Sequence, residues 1–213
     1  MSLDLQSPRT ILIDCDGVLL DWVSKFNVWM DARGYVQRPD AQDYYRIHER
    51  FEDLDYAESK KFTRIFNESA AIGFLDPLPM AVYWARRLNW EFGFRFHVIT
   101  SQSLDPDAQA LRQQNLTRVF GDIFDRIMCL DTGSDKDHAL SQYAGKGYWW
   151  IEDKPENALA GLAQGLRPIL LQHGHNRDFS HDSVAVAETW TDIYDIIRDY
   201  ESRYRPSTSR MMG

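Results

Sequence analysis

Cysteine is nearly absent from this chain, which has Cys15 and Cys129 alone in 213 residues. Cys15 lies between two aspartates, where a disulfide would obstruct them, so both thiols are expected reduced and the protein cytoplasmic. Long apolar runs are missing as well. None approaches the ~18 residues of a membrane span, and the N-terminus has no signal-peptide core. Positive charge is in short supply: 24 Lys and Arg against 32 Asp and Glu give a formal charge of −8. That balance argues against extended nucleic acid or an anionic membrane as partner. It leaves a small anionic substrate open, because a bound cation and one lysine can override the global field. There is no internal repeat and no low-complexity segment.

What is present supports a packed core. Apolar residues make up 44% and aromatics 13% of the chain, enough for one good-sized domain with room for an inserted subdomain. The most informative stretch is Ile11-Leu-Ile-Asp14-Cys-Asp16-Gly17-Val18. Three β-prone residues run into two aspartates spaced two apart, a spacing that turns both side chains to one side of an extended chain. In open α/β sheets ligands bind at the strands' C-terminal ends. Two carboxylates so close repel unless a cation lies between them or they share a proton. No positive side chain flanks them in sequence, and Gly17 lets the backbone turn away. The pattern points to a magnesium-dependent phosphoryl site, against an Asx-rich turn as the plain alternative.

Strand and helix alternate through the rest of the chain. A short lead (1–9) precedes strand 11–13. Residues 21–74 then change texture, with aromatics at helical spacing such as Trp22–Phe26–Trp29 and Phe62–Ile65–Phe66. They read as a small helical insertion whose aromatics form its own core. Beyond the Phe74–Pro79 linker come helix 80–91, opened by Pro79, and strand 96–99. Helix 106–115 follows, capped by Asp105 and Pro106, and then strand 126–130 and a helix beginning near Lys136. Strand 148–151, helix 155–164, strand 168–171, a loop and helix 191–204 complete the pattern. The expected fold is α/β, a doubly wound parallel sheet of Rossmann-like type. Core residues fall in 1–20 and 75–205, the helical cap in 21–74, and a flexible tail in 206–213.

Four strands end in chemically suggestive residues: Asp14/Asp16, Thr100/Ser101, the loop reaching Lys136, and Glu152/Asp153. Phosphoryl transfer has a use for each type. One carboxylate attacks phosphorus, a second acid serves the leaving oxygen, a hydroxyl and an ammonium hold the other oxygens, and a further carboxylate completes an oxygen-rich magnesium sphere.

This set, in this order, resembles the four motifs of the haloacid dehalogenase (HAD) superfamily over residues 10–20 and 76–200. The resemblance implies Asp14 as nucleophile and Asp16 as general acid/base. It places Thr100, Ser101 and Lys136 on the phosphate. It implies Mg2+ held by Asp14, the backbone carbonyl of Asp16, and Asp153. Glu152 departs from the Asp or Gly common in relatives, so it is expected to stand behind the ligands rather than among them. True dehalogenases lack the second aspartate, so Asp16 favours a phosphatase or phosphotransferase. More narrowly, Asp16–Trp22, the short cap and the Phe74–Pro79 segment resemble the 5′(3′)-deoxyribonucleotidase branch, in which an aromatic at the Trp22 position stacks on the nucleobase. The same tryptophan could instead pack the base of the cap. The expected substrate is a small phosphomonoester, a nucleoside monophosphate foremost. A phosphatase of nucleic-acid ends and a non-catalytic phospho-ligand binder are the alternatives. His173, His175 and His181 suggest a metal cluster on paper, but with no cysteine beside them a solvated loop is the expectation.

Overall fold

The computed structural model describes residues 9–204; the expected tail, 206–213, and most of the lead lie outside them. Six strands form one parallel sheet: β1 (Arg9–Ile13), β2 (Phe94–Ser101), β3 (Phe124–Leu130), β4 (Trp149–Glu152), β5 (Arg167–Leu171) and β6 (Ala185–Ala187). Their spatial order is β3-β2-β1-β4-β5-β6. β1 is therefore central, paired with β2 on one side and β4 on the other. That position buries Ile11, Leu12 and Ile13 completely, which is why the strand that delivers the aspartates is apolar without alternation. All strands run the same way, so their C-terminal ends, and Asp14, Thr100 and Glu152 with them, meet along one edge of the sheet.

Helices α4 (Ala81–Phe92), α5 (Pro106–Phe120), α6 (Asp137–Ser141), α7 (Pro155–Ala163) and α8 (Trp190–Tyr204) connect and cover the sheet. Between β1 and α4 lie only α1 (Trp22–Asp31), α2 (Ile47–Arg50), α3 (Tyr56–Asn67) and two 3-10 turns. Local chemistry sets these ends. Asp21 accepts from the Ser24 amide at the start of α1, and Asp55 with Glu58 makes a reciprocal capping box on α3. Among the described residues no helix is long and apolar enough to cross a membrane.

Four expectations need correction. β6 lies where no strand was expected, because three residues, Ala-Val-Ala, are too short to show a period. Helix α5 runs five residues past 115. Pro79 does not open α4: Met80 precedes it in a left-handed conformation (φ 62°) and the helix begins at Ala81. The aromatic residues of the insertion do not form a separate core. Trp22, Phe26 and Phe66 join Ile11, Ile13 and Phe96 in one continuous apolar cluster that also holds Leu19, Leu20, Ile72 and Leu75.

Candidate active site

Asp14 continues β1 by one residue, its amide donating to the Ile151 carbonyl at 2.9 Å. Its Oδ1 accepts two bonds, from the Cys15 amide at 2.7 Å and from the Lys136 ammonium at 2.7 Å. Lys136 stands just before α6 and is 2% exposed; its Nζ also donates to Glu152 Oε2 at 2.8 Å. Glu152, at the end of β4, has no exposure at all. Oε2 takes a second bond from Asn157 at 3.2 Å, while Oε1 accepts the Asp153 and Lys154 amides at 3.2 and 3.1 Å. Both Glu152 oxygens are thus engaged in holding Lys136 and the turn that presents Asp153. Asn176 fixes that turn from the far side, donating to the Asp153 carbonyl at 2.6 Å.

Asp14, Glu152 and Asp153 each bring a carboxylate oxygen within 4.8 Å of the others. Three buried carboxylates around one ammonium leave a deficit of two positive charges, the charge of one divalent cation. The acids register that deficit. Burial, and then Glu152, push the Asp14 carboxyl well above the usual range against the pull of Lys136. Burial and the Asp14 charge raise Asp153 to about 7. Burial works against the Lys136 ammonium, yet Asp14 and Glu152 outweigh it and hold its pKa above the ordinary value. Gly17 completes the fit: at φ +80° it lies so close to Asp153 that a Cβ there would overlap the carboxylate. An all-oxygen donor set of this charge suits Mg2+.

Asp16 has a partner that sequence reasoning missed. Arg112, fully buried on α5, donates from Nη2 to Asp16 Oδ2 at 2.8 Å and brings Nη1 within 2.7 Å of Oδ1. A signal was available: Arg112 stands on a helix stripe with Ala108, Asn115 and Leu116, all buried, where an arginine has no place without a buried acid.

The remaining expected residues line the same cavity, about 580 Å³, as do Asp14, Asp16 and Lys136. Thr100 is buried at the end of β2, and Ser101 donates to the Ser134 carbonyl at 2.7 Å, tying two strand-end loops together. Trp22 borders the cavity but is 8% exposed. It stacks on Phe26 with ring centroids 4.5 Å apart and donates its indole N–H to Asn67 at 2.8 Å. Asn67 and Gln102 exchange side-chain to backbone bonds of 2.9 Å, linking α3 to the loop after β2. Tyr45, Tyr56 and Arg50 also face the cavity, unanticipated.

Two of the three histidines correct the expectation of a solvated loop. His173 Nε2 lies 2.7 Å from the Gly17 carbonyl, and His175 lines the cavity, with burial first and His173 next holding its pKa down at about 4. His181 is exposed, its Nδ1 accepting from the Ser183 amide at 3.1 Å. Asn176 next to His175 explains why the turn is ordered rather than solvated: it also donates to the Leu171 carbonyl at 3.0 Å, pulling the loop onto the sheet.

No protein-family model matches the sequence, and no curated protein matches it. Solved structures do. A haloacid dehalogenase-like family hydrolase from Streptococcus pneumoniae aligns over 89% of this chain and 98% of its own, with TM-score 0.62 and 16% identity. A D,D-heptose 1,7-bisphosphate phosphatase from Burkholderia thailandensis aligns over 89% and 98%, with TM-score 0.53 and 15% identity. An L-2-haloacid dehalogenase from Xanthobacter autotrophicus aligns over 90% and 99%, with TM-score 0.58 and 10% identity. The chain has the fold of the HAD-like hydrolases.

Proposed function

We propose that this HAD-fold chain is a magnesium-dependent phosphomonoester hydrolase working through an aspartyl-phosphate. The observation that carries the reading is the pairing at the end of β1: Asp14 held against Lys136, with a second carboxylate, Asp16, two residues on in the same cavity. With Asp14 Oδ1 engaged twice, Oδ2 is the oxygen left to attack. It forms a bond to phosphorus as the bond to the leaving oxygen breaks, and Asp16 delivers a proton to that oxygen. Asp16 then takes a proton from water, which attacks the same phosphorus and releases inorganic phosphate and free Asp14. Lys136 neutralises charge on the phosphoryl oxygens throughout, and Thr100 and Ser101 bound the pocket in which those oxygens sit. Mg2+ held by Asp14, the Asp16 carbonyl and Asp153, with Glu152 behind them, would supply the further positive charge that a transferring phosphoryl group requires.

Dehalogenation is the competing chemistry, since dehalogenases share the fold. Displacing halide from carbon needs no acid for the leaving group, and a second aspartate in the cavity, Asp16, is more than that reaction requires. The helical segment 21–74 acts as a cap that closes over the crevice and excludes water. A cavity of about 580 Å³ is in the range of small-molecule sites, and nucleoside monophosphates are the first phosphomonoesters to test.

The test is phosphate release from nucleoside monophosphates, sugar phosphates and p-nitrophenyl phosphate, with and without magnesium. Magnesium-dependent turnover that Asp14→Asn abolishes in a folded protein is the expected result. Retained turnover in Asp14→Asn would overturn the nucleophile, and strongest turnover on sugar phosphates would remove the nucleotide preference alone.

A further inference from the structure

The helical wall of the cavity carries charge that hydrolysis of a single phosphate does not use. Every carboxylate lining the cavity belongs to the strand-end floor, whereas the insertion contributes Arg46, Arg50, Lys60, Lys61 and Arg64 and no acid. In a chain of net charge −8, that segregation is a local field built for anions. Arg64 is occupied by Glu68 and Asp131, and Arg46 stands 3.9 Å from Glu49.

Arg50 is different. It closes α2 at 6% exposure, and among the described residues it makes no ion pair. Its Nη1 donates to the Tyr44 carbonyl at 2.8 Å, and its buried Nε has no partner. Burial lowers its pKa with no neighbouring carboxylate to oppose the shift. A guanidinium so shielded, with no carboxylate beside it, is a favourable seat for an anion entering the cavity. The floor already meets the scissile phosphate with Lys136 and the metal-binding carboxylates; a substrate with a neutral tail would leave Arg50 uncompensated.

We propose that Arg50 binds a second anionic group of the substrate, a phosphate or carboxylate remote from the scissile phosphate. The substrate class is thereby narrowed to bisphosphates and phosphocarboxylates over phosphomonoesters with neutral tails. The inference rests on the phosphohydrolase reading for the position of the first phosphate.

Matched pairs test it: adenosine 5′-monophosphate against adenosine 3′,5′-bisphosphate, ribulose 5-phosphate against ribulose 1,5-bisphosphate, and glycerol 3-phosphate against 3-phosphoglycerate. In at least one pair the partner with the second anion should have a kcat/KM at least tenfold higher. Arg50→Met should bring that ratio close to one, and Arg50→Lys, which keeps charge but loses the Nε donor, should reduce it several-fold. Thermal unfolding establishes that each variant is folded; should Arg50→Met not fold, the Arg50→Lys ratio decides. The same pairs are titrated calorimetrically into Asp14→Asn protein with and without the Arg50 change. Equal kcat/KM and equal affinity within every pair, or a preference that Arg50→Met and Arg50→Lys leave intact, overturns the second-anion site while leaving phosphohydrolase activity in place. No turnover anywhere, with Arg50-dependent tighter binding of the doubly anionic ligands, overturns the hydrolase reading and keeps the site.

Discussion

Arg112 holds Asp16 from inside the protein: Nη2 donates to Oδ2 at 2.8 Å, while Nη1, 2.7 Å from Oδ1, also donates to Cys15 Sγ at 3.1 Å. The guanidinium is wholly buried, so it cannot touch substrate; it fixes the direction in which Asp16 points. A positioning role of this kind has a leaving-group signature. An alkoxide departs only with a proton, whereas p-nitrophenolate leaves without one. Arg112→Met should lower kcat on alkyl phosphates by about 10²-fold or more, the scale of general acid catalysis, and on p-nitrophenyl phosphate far less. Arg112→Lys should recover part of the difference. Equal losses on both substrate types, measured on folded protein, would assign Arg112 to stability alone.

Five of the six strands are legible because short apolar runs end in polar residues and alternate with helices; β6, only three residues long, is not. The motif positions followed from the same boundaries. What could not be read were contacts made across the chain. Arg112 lies 96 residues from Asp16 and Asn176 lies 23 from Asp153, and no period or spacing encodes such pairings. The His173–His175 turn is polar in sequence, which predicts solvation; it is held instead by Asn176, bonded to two carbonyls, and by His173 against the Gly17 carbonyl. Trp22 admits two roles by sequence, and the structure gives its packing: one face on Phe26, a T-shaped contact with Phe66, and the N–H on Asn67.

Gly17 offers a test of the metal site that leaves every ligand in place. A side chain at φ +80° is strained, and its Cβ would displace the Asp153 carboxylate. Gly17→Ala should cost ~1–3 kcal/mol of stability and weaken magnesium binding. The expected result is a lower urea midpoint and a smaller rise of Tm on adding Mg2+. An undiminished magnesium response would show that Asp153 is not held where the cation binds.

The raised carboxyls predict how stability depends on pH when no metal is bound. Asp153 titrates near 7 in the folded protein and near 4 unfolded. Between those values the folded state binds more protons, so the contribution of this residue to stability falls as pH rises. In EDTA, the Tm of the wild type relative to Asp153→Asn should therefore drop from pH 4 to 7. Mg2+ requires the ionised carboxylates, so the Tm rise that it causes in wild type should grow over the same interval. A Tm difference that is flat with pH would contradict the burial of an uncompensated carboxyl.

Trp22 can be assigned by two substitutions and two substrates. Trp22→Ala removes a ring stacked on Phe26 and set edge-on to Phe66, and should cost ~3–5 kcal/mol. Trp22→Phe keeps the stack but leaves Asn67 Oδ1 without its donor, a loss of ~1–3 kcal/mol. If the indole serves packing, Trp22→Phe raises KM for a nucleoside monophosphate no more than for p-nitrophenyl phosphate. A base stacked on the indole predicts the opposite, a KM increase confined to the nucleotide, because the smaller phenyl ring offers less surface to the base. Since one face of Trp22 is already covered by Phe26 and the residue is 8% exposed, the expected outcome is a parallel shift in both. Tyr45 and Tyr56, each more than half exposed on the cavity wall, then become the rings to substitute for a nucleotide-specific change.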